Sequence, residues 1–205
     1  MSQNTRLSMT SSLHDTRYAR RTSVVERNLN KTRSAEVGLS AFAFLFSEML
    51  QYTQKRVQGI QDLERKLNDF GYRVGTRFLE LITWREKNNR REISVLDILY
   101  FIHTTVWKAL FGKQADSLEK STENNDEYMI SDNEPIISKF ISVPKDLASL
   151  NCGAFLAGIV EAILDGSQFP ARVTSHTLPI EGYPLRTTIL IKLDAEVLLR
   201  EEQIK

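Results

Sequence analysis

With a single cysteine, Cys152, the chain has no partner for an internal disulfide and no second thiolate for a multi-cysteine zinc site. That scarcity points to a reducing, cytosolic setting. The three histidines, His14, His103 and His176, share no ligand spacing, so no metal or cofactor site is expected from them. An excess of one charge is lacking too: 27 Lys and Arg against 26 Asp and Glu leave a net of +1, with no global field to attract nucleic acid. No apolar run approaches the roughly 20 residues that span a bilayer. The longest, Ala41 to Leu50, is broken by Ser47 and Glu48, and the N-terminus lacks the continuous apolar core of a secretory signal. Phosphate loops are missing as well, because Gly71-Tyr-Arg-Val-Gly75 has neither a further glycine nor a Lys-Ser/Thr pair. That segment reads as a helix-to-helix turn.

What is present is an uneven distribution. Residues 1 to 33 hold seven Lys or Arg and two acids, a surplus of five, which leaves a deficit of four on the remaining chain. With no sustained period, residues 1–35 are expected to form a disordered basic tail, and 36–205 a single domain. From about Glu36, Leu39, Phe42, Phe46, Met49, Thr53, Val57, Ile60, Leu63, Leu67 and Phe70 recur three or four apart, which predicts a long helix stopped at Gly71. Phe78, Leu79 and Ile82 continue the spacing in a second helix that ends in the charged stretch Arg85 to Glu92. Ser94 is placed to cap a third helix, with Val95, Ile98, Leu99, Ile102, Val106 and Leu110 as its stripe and Gly112 as its stop.

Residues 113–134 hold seven acids against two lysines and read as an acidic linker loop. Tyr128 to Ile130 and Ile136 to Val143 are β-prone and suggest paired strands around Asp132-Asn-Glu-Pro135. A fourth helix fits Leu150 to Leu164, capped by Ser149 or Asn151 and stopped by Asp165-Gly166. Arg172 to Thr177 and Thr187 to Leu193 form a second hairpin, and a short helix follows Asp194. This order predicts an α+β domain with helices packed on one side of a twisted antiparallel sheet.

Chemistry is sparse. Cys152 at a helix N-terminus, followed by His176 and Asp194 or Glu181, gives the order thiol, imidazole, carboxylate of a papain-like hydrolase. The apolar, small-residue run after Cys152 favours a packed thiol instead. His103, between Ile102 and Val106, reads as a half-buried polar residue. Arg85, Lys87, Arg90 and Arg91 beside Trp84 are diluted by Glu80, Glu86 and Glu92, so a solvated or protein-facing surface is expected and no nucleic-acid site. The first helix carries Phe42, Phe44, Leu45, Phe46, Met49 and Leu50 around more than half its circumference, where one core face needs only a stripe. On residue chemistry the chain is an interaction module, not an enzyme.

Four segments closely resemble the small-subunit family of the transport protein particle, TRAPP. They are Leu39-Ser-Ala-Phe-Ala-Phe-Leu-Phe-Ser-Glu48, Thr105-Val-Trp-Lys-Ala-Leu-Phe-Gly-Lys113, Ile141-Ser-Val-Pro-Lys-Asp146 and Asn151-Cys-Gly-Ala-Phe-Leu-Ala-Gly-Ile-Val-Glu161. The resemblance implies the helix-on-sheet fold reached above. It also implies obligate hetero-oligomeric assembly with other small subunits, pairing through long helices, with Phe42, Phe46, Met49, Phe78 and Ile82 as the partner interface. The family's particle tethers vesicles and acts as a guanine-nucleotide exchange factor for a Rab GTPase in endoplasmic reticulum to Golgi transport and autophagy. This chain would then be a non-catalytic structural subunit without a cofactor, joining the catalytic core to an end adaptor. It would be cytoplasmic and peripheral at endoplasmic reticulum and Golgi membranes. Some relatives carry an acylated cysteine in their helical half; the only cysteine here lies in the later Asn151-Cys-Gly motif, which argues against lipidation.

Overall fold

The computed structural model describes residues 37–85, 91–144, 147 and 149–204. The expected basic tail lies outside them, as do Lys87 and Arg90. Helix α1 spans Leu39–Gln54 and α2 spans Ile60–Arg85. The chain therefore does not stop at Gly71. It breaks before Ile60, where Gly59 takes the left-handed φ of +99° that glycine alone adopts without strain.

Gly71 and Gly75 lie inside α2 because α6, Ala154–Gly166, crosses it at backbone contact. A Cβ on Gly71 would run into the Phe155 carbonyl, one on Gly158 into the Asn68 carbonyl, and one on Gly75 would sit 2.6 Å from the Ile159 oxygen. These glycines are a packing surface and not a turn. Nine of the 13 residues of α6 are buried, so this helix is the centre of the core. Each fully buried Leu or Ile stabilises by about 1.5–3 kcal/mol.

Ser94 caps α3, Val95–Phe101, by accepting a hydrogen bond from the Asp97 N–H at 3.1 Å. The expected single third helix then widens into a π-helical segment, Ile102–Val106, before α4, Trp107–Phe111. Val106 and Trp107, where the wider turn passes into α4, are both buried in the core. Gly112, at φ +76°, ends α4 as expected.

The sheet contains β1 (Ser117–Lys120), β2 (Glu127–Asp132), β3 (Ala171–Thr177) and β4 (Thr187–Leu193), antiparallel in the order β1-β2-β4-β3. Two expectations are corrected. The region 113–134 is not a loop throughout, since it holds β1 and β2; β1 has one apolar residue, Leu118, and so leaves little trace in the sequence. Ile136 to Val143 is not a strand. Ile136–Lys139 forms the short helix α5 after Pro135, burying Ile137, and β2 pairs with β1 and β4 instead. The β3–β4 hairpin forms as expected, followed by α7, Ala195–Ile204.

Alternation across the sheet gives it two different faces. Tyr128, Ile130, Val173, Ile189, Ile191 and Leu193 join the helical core, whereas Glu119, Arg172, His176 and Lys192 are exposed on the other side. The architecture is thus α+β with helices on one side of the sheet.

Candidate partner-binding surface

Helix α1 has one charged residue, Glu48, and apolar side chains on two sides. One side packs inward. Phe42 and Phe46 stack with ring centroids 5.8 Å apart, and Phe46 meets Phe155 of α6 edge-on at 5.5 Å. Met49 continues this row, and Thr53 is tied by its hydroxyl to the Met49 carbonyl at 2.7 Å. Other parts of its circumference face solvent: Phe44 is 77% exposed, Leu45 70% and Tyr52 53%. Single exposed apolar residues are ordinary, but two adjacent large ones with a tyrosine two turns on form a patch.

The five residues expected to meet a partner fall into two groups. Phe46 and Ile82 are core residues, 3% and 6% exposed, while Phe42, Met49 and Phe78 are half-buried against that core. The most exposed large apolar side chains of α1 are Phe44 and Leu45, ahead of Tyr52 and Leu39. The three-and-four spacing that singles out Phe42, Phe46 and Met49 marks the inward stripe of any amphipathic helix. The signal for the outward pair was the surplus itself, in the run Phe42-Ala-Phe-Leu-Phe46. On α2, Tyr72 and Val74 are also exposed, and the Tyr72 hydroxyl donates to Asp165 across 2.7 Å.

The thiol candidate is not assembled for nucleophilic chemistry. Cys152 is 5% exposed, and burial, with Glu64 nearby, pushes its pKa up to about 11. A nucleophilic thiol needs the reverse shift. Strand alternation places His176 on the exposed sheet face, bonded to the Thr174 hydroxyl at 3.1 Å, while Cys152 belongs to the core on the other side. The Asn151-Cys-Gly motif has a positioning role. Asn151 donates its side-chain amide to the Ser175 carbonyl, accepts from the Gly153 N–H, and gives its backbone N–H to Glu64, each at 2.8 Å. It thereby joins α2, the start of α6 and edge strand β3.

His103 lies in the π-helical segment with its ring beside Tyr100 and its Nδ1 buried without a partner among the described residues; burial pulls its pKa down. Arg91 donates to the Ser167 carbonyl at 3.5 Å, at the end of α6. No helix among the described residues is long and apolar enough to cross a membrane.

Residues 42–194 match the family model described as transport protein particle (TRAPP) component. Trafficking protein particle complex subunit 5 of Dictyostelium discoideum is 59% identical over 179 residues, covering 86% of this chain and 95% of that protein. The human protein of the same name is 43% identical over 192 residues, covering 93% and 98%. Among solved structures, a trafficking protein particle complex subunit 3 from Naegleria fowleri, covalently bound to palmitic acid, superposes with a TM-score of 0.65. It has 17% identity and covers 76% of this chain and 95% of that one, a likeness of fold. The chain belongs to the TRAPP component family, and its relatives are subunits of a trafficking complex.

Proposed function

We propose that the chain is a non-catalytic structural subunit of a TRAPP complex that acts as a tether and as a guanine-nucleotide exchange factor for a Rab GTPase. The observation that carries this reading is the solvent-facing pair Phe44 and Leu45 on a helix whose other side is already packed. An uncovered apolar helix face calls for a protein partner. Another small subunit lies along α1 and α2, covering Phe44 and Leu45 and completing the burial of Phe42, Met49 and Phe78; Phe46 and Ile82 support that face from within. The chain bridges the catalytic core subunits to an end adaptor. The particle works in endoplasmic reticulum to Golgi and Golgi transport and in autophagy, as a cytoplasmic assembly peripheral to those membranes.

Exchange acceleration comes from preferring the nucleotide-free GTPase, and neighbouring subunits provide that preference. The test is reconstitution of the small subunits with and without this chain, followed by nucleotide release from a Rab. The chain alone is expected to give no acceleration and the complete particle to give it. Acceleration by the isolated chain would overturn the non-catalytic assignment.

A further inference from the structure

We propose that the sheet face turned away from the helices is a second docking surface, which takes a protein segment presenting a carboxylate to Arg186. The inference rests on the chain working within a multi-subunit assembly. Ser117, Ser131, Thr188 and His176 lie side by side in register across all four strands on this face. Ser131 and Thr188 are 2% and 4% exposed and share a hydrogen bond of 2.9 Å. Arg186, two residues before Thr188, lies on the same face and donates its Nη2 to the Ser131 hydroxyl at 3.3 Å.

The site is short of acceptors. A guanidinium has five N–H donors, and this one makes a single side-chain hydrogen bond among the described residues. Its Nε is buried without a partner, as is the Ser117 hydroxyl oxygen. The nearest carboxylate, Glu119, stands 3.9 Å away, beyond hydrogen-bond distance, and is 55% exposed. Lys192, by contrast, is matched by Glu127 at 3.1 Å and Asp126 at 3.6 Å. Arg186 is therefore a cation with unused donors on a partly desolvated surface, the setting in which a planar, two-oxygen acceptor binds best.

The surroundings favour a protein over a polyanion. Met129 and Leu190 face each other across β2 and β4 on this side, half-buried and outside the core cluster. The β3–β4 connection exposes Leu178, Ile180, Tyr183 and Leu185, and backbone bonds from Leu178 to Arg186 and between Ile180 and Tyr183 hold it in shape. Apolar contacts around one cation suit an apolar segment with an acidic residue. Glu119, Glu127 and Asp126 would repel the continuous charge of a nucleic acid or an anionic lipid surface.

The test uses the full chain, tagged and purified within its particle, carrying a photo-crosslinking residue in place of Thr174, which lies on this face beside Leu190. The expected result is a cross-link to another protein within a few residues of an Asp or Glu. Its yield should fall at least tenfold with Arg186→Glu, and should return when that partner carboxylate is replaced by Arg. Leu185→Ser, at an exposed position that leaves the fold alone, should also lower the yield. Cross-links only to lipid or nucleic acid, no cross-link, or a yield indifferent to both variants would overturn the proposal. A chain that joins its small subunits normally yet gives no cross-link fails here alone; a chain that joins none overturns the assembly reading and this surface with it.

Discussion

Trp107 donates its indole Nε1–H to the Asp132 carboxylate across 3.0 Å, with both residues buried where the start of α4 meets the end of β2. The other carboxylate oxygen accepts from Lys113 at 2.6 Å and from the Glu134 N–H at 3.1 Å. Gly112 lets the chain turn back sharply enough for Lys113 to reach it. Two regions distant in sequence, Trp107 to Lys113 and the strand end at Asp132, are thus locked together.

Replacing Asp132 by Ala strands the Trp107 N–H and frees Lys113. Because Lys113 is 40% exposed, it can turn to water, so the loss is dominated by the buried indole donor. A destabilisation of about 1–3 kcal/mol is expected, with Asp132→Asn losing less, read by urea unfolding. Equal stability of Asp132→Ala and the parent chain would mean that the knot is dispensable.

The α2–α6 crossing makes a sharper distinction between glycines. Gly158→Ala forces a methyl into the Asn68 carbonyl, and overpacking of this kind costs about 1–3 kcal/mol or more. Gly59→Ala meets no atom within 4 Å and bears only the left-handed backbone penalty, about 1–2 kcal/mol. Thermal melts of the two variants should rank Gly158→Ala as the less stable.

Glu161 is half-buried beside Asn68 of α2, whose amide donates to it at 3.1 Å. Burial raises its pKa above the ordinary 4.5, and Asp165 adds to the shift against the opposing hydrogen bond. A carboxyl whose folded pKa is raised holds its proton more tightly in the native state, so stability falls as pH rises from the unfolded value through the folded one. Above that window the penalty is fully present. Glu161→Gln, which keeps an acceptor for Asn68, should therefore raise the melting temperature at pH 7 and lose that advantage below about pH 4. An advantage that is constant with pH would exclude ionisation as its cause.

Cys152 should resist a thiol reagent in the folded chain and react only on unfolding, given a pKa of about 11 and 5% exposure. Cys152→Ala should fold and assemble normally. Rapid labelling of the native chain would revive the thiol as a chemical group.

Much of this fold is written in local pattern. The Ser94 cap, the Gly112 stop, the β3–β4 hairpin and the apolar stripe of α3 all rest on near neighbours, and they appear where the sequence puts them. Misplaced elements depend on distant contacts. Gly71 looks like a terminator until α6 is seen against it, and Ile136 to Val143 has β-prone composition but follows β2, which is already paired on both sides by β1 and β4. The partner surface follows the same division. Phe42, Phe46 and Met49 carry the helical period because the chain's own core needs it; Phe44 stands outside that period, but Leu45, three residues from Phe42 and four from Met49, fits it, and only burial separates the two sides.

The most direct test of assembly through α1 is sedimentation of the chain, alone and mixed with the TRAPP small subunits, for the parent sequence and for Phe44→Asp/Leu45→Asp. The parent should form a defined hetero-oligomer, and the double variant should lose at least tenfold in affinity with an unchanged melting temperature, since both side chains are solvent-exposed. A parent chain that remains a stable monomer beside those subunits, or a variant that joins them as tightly, would contradict it.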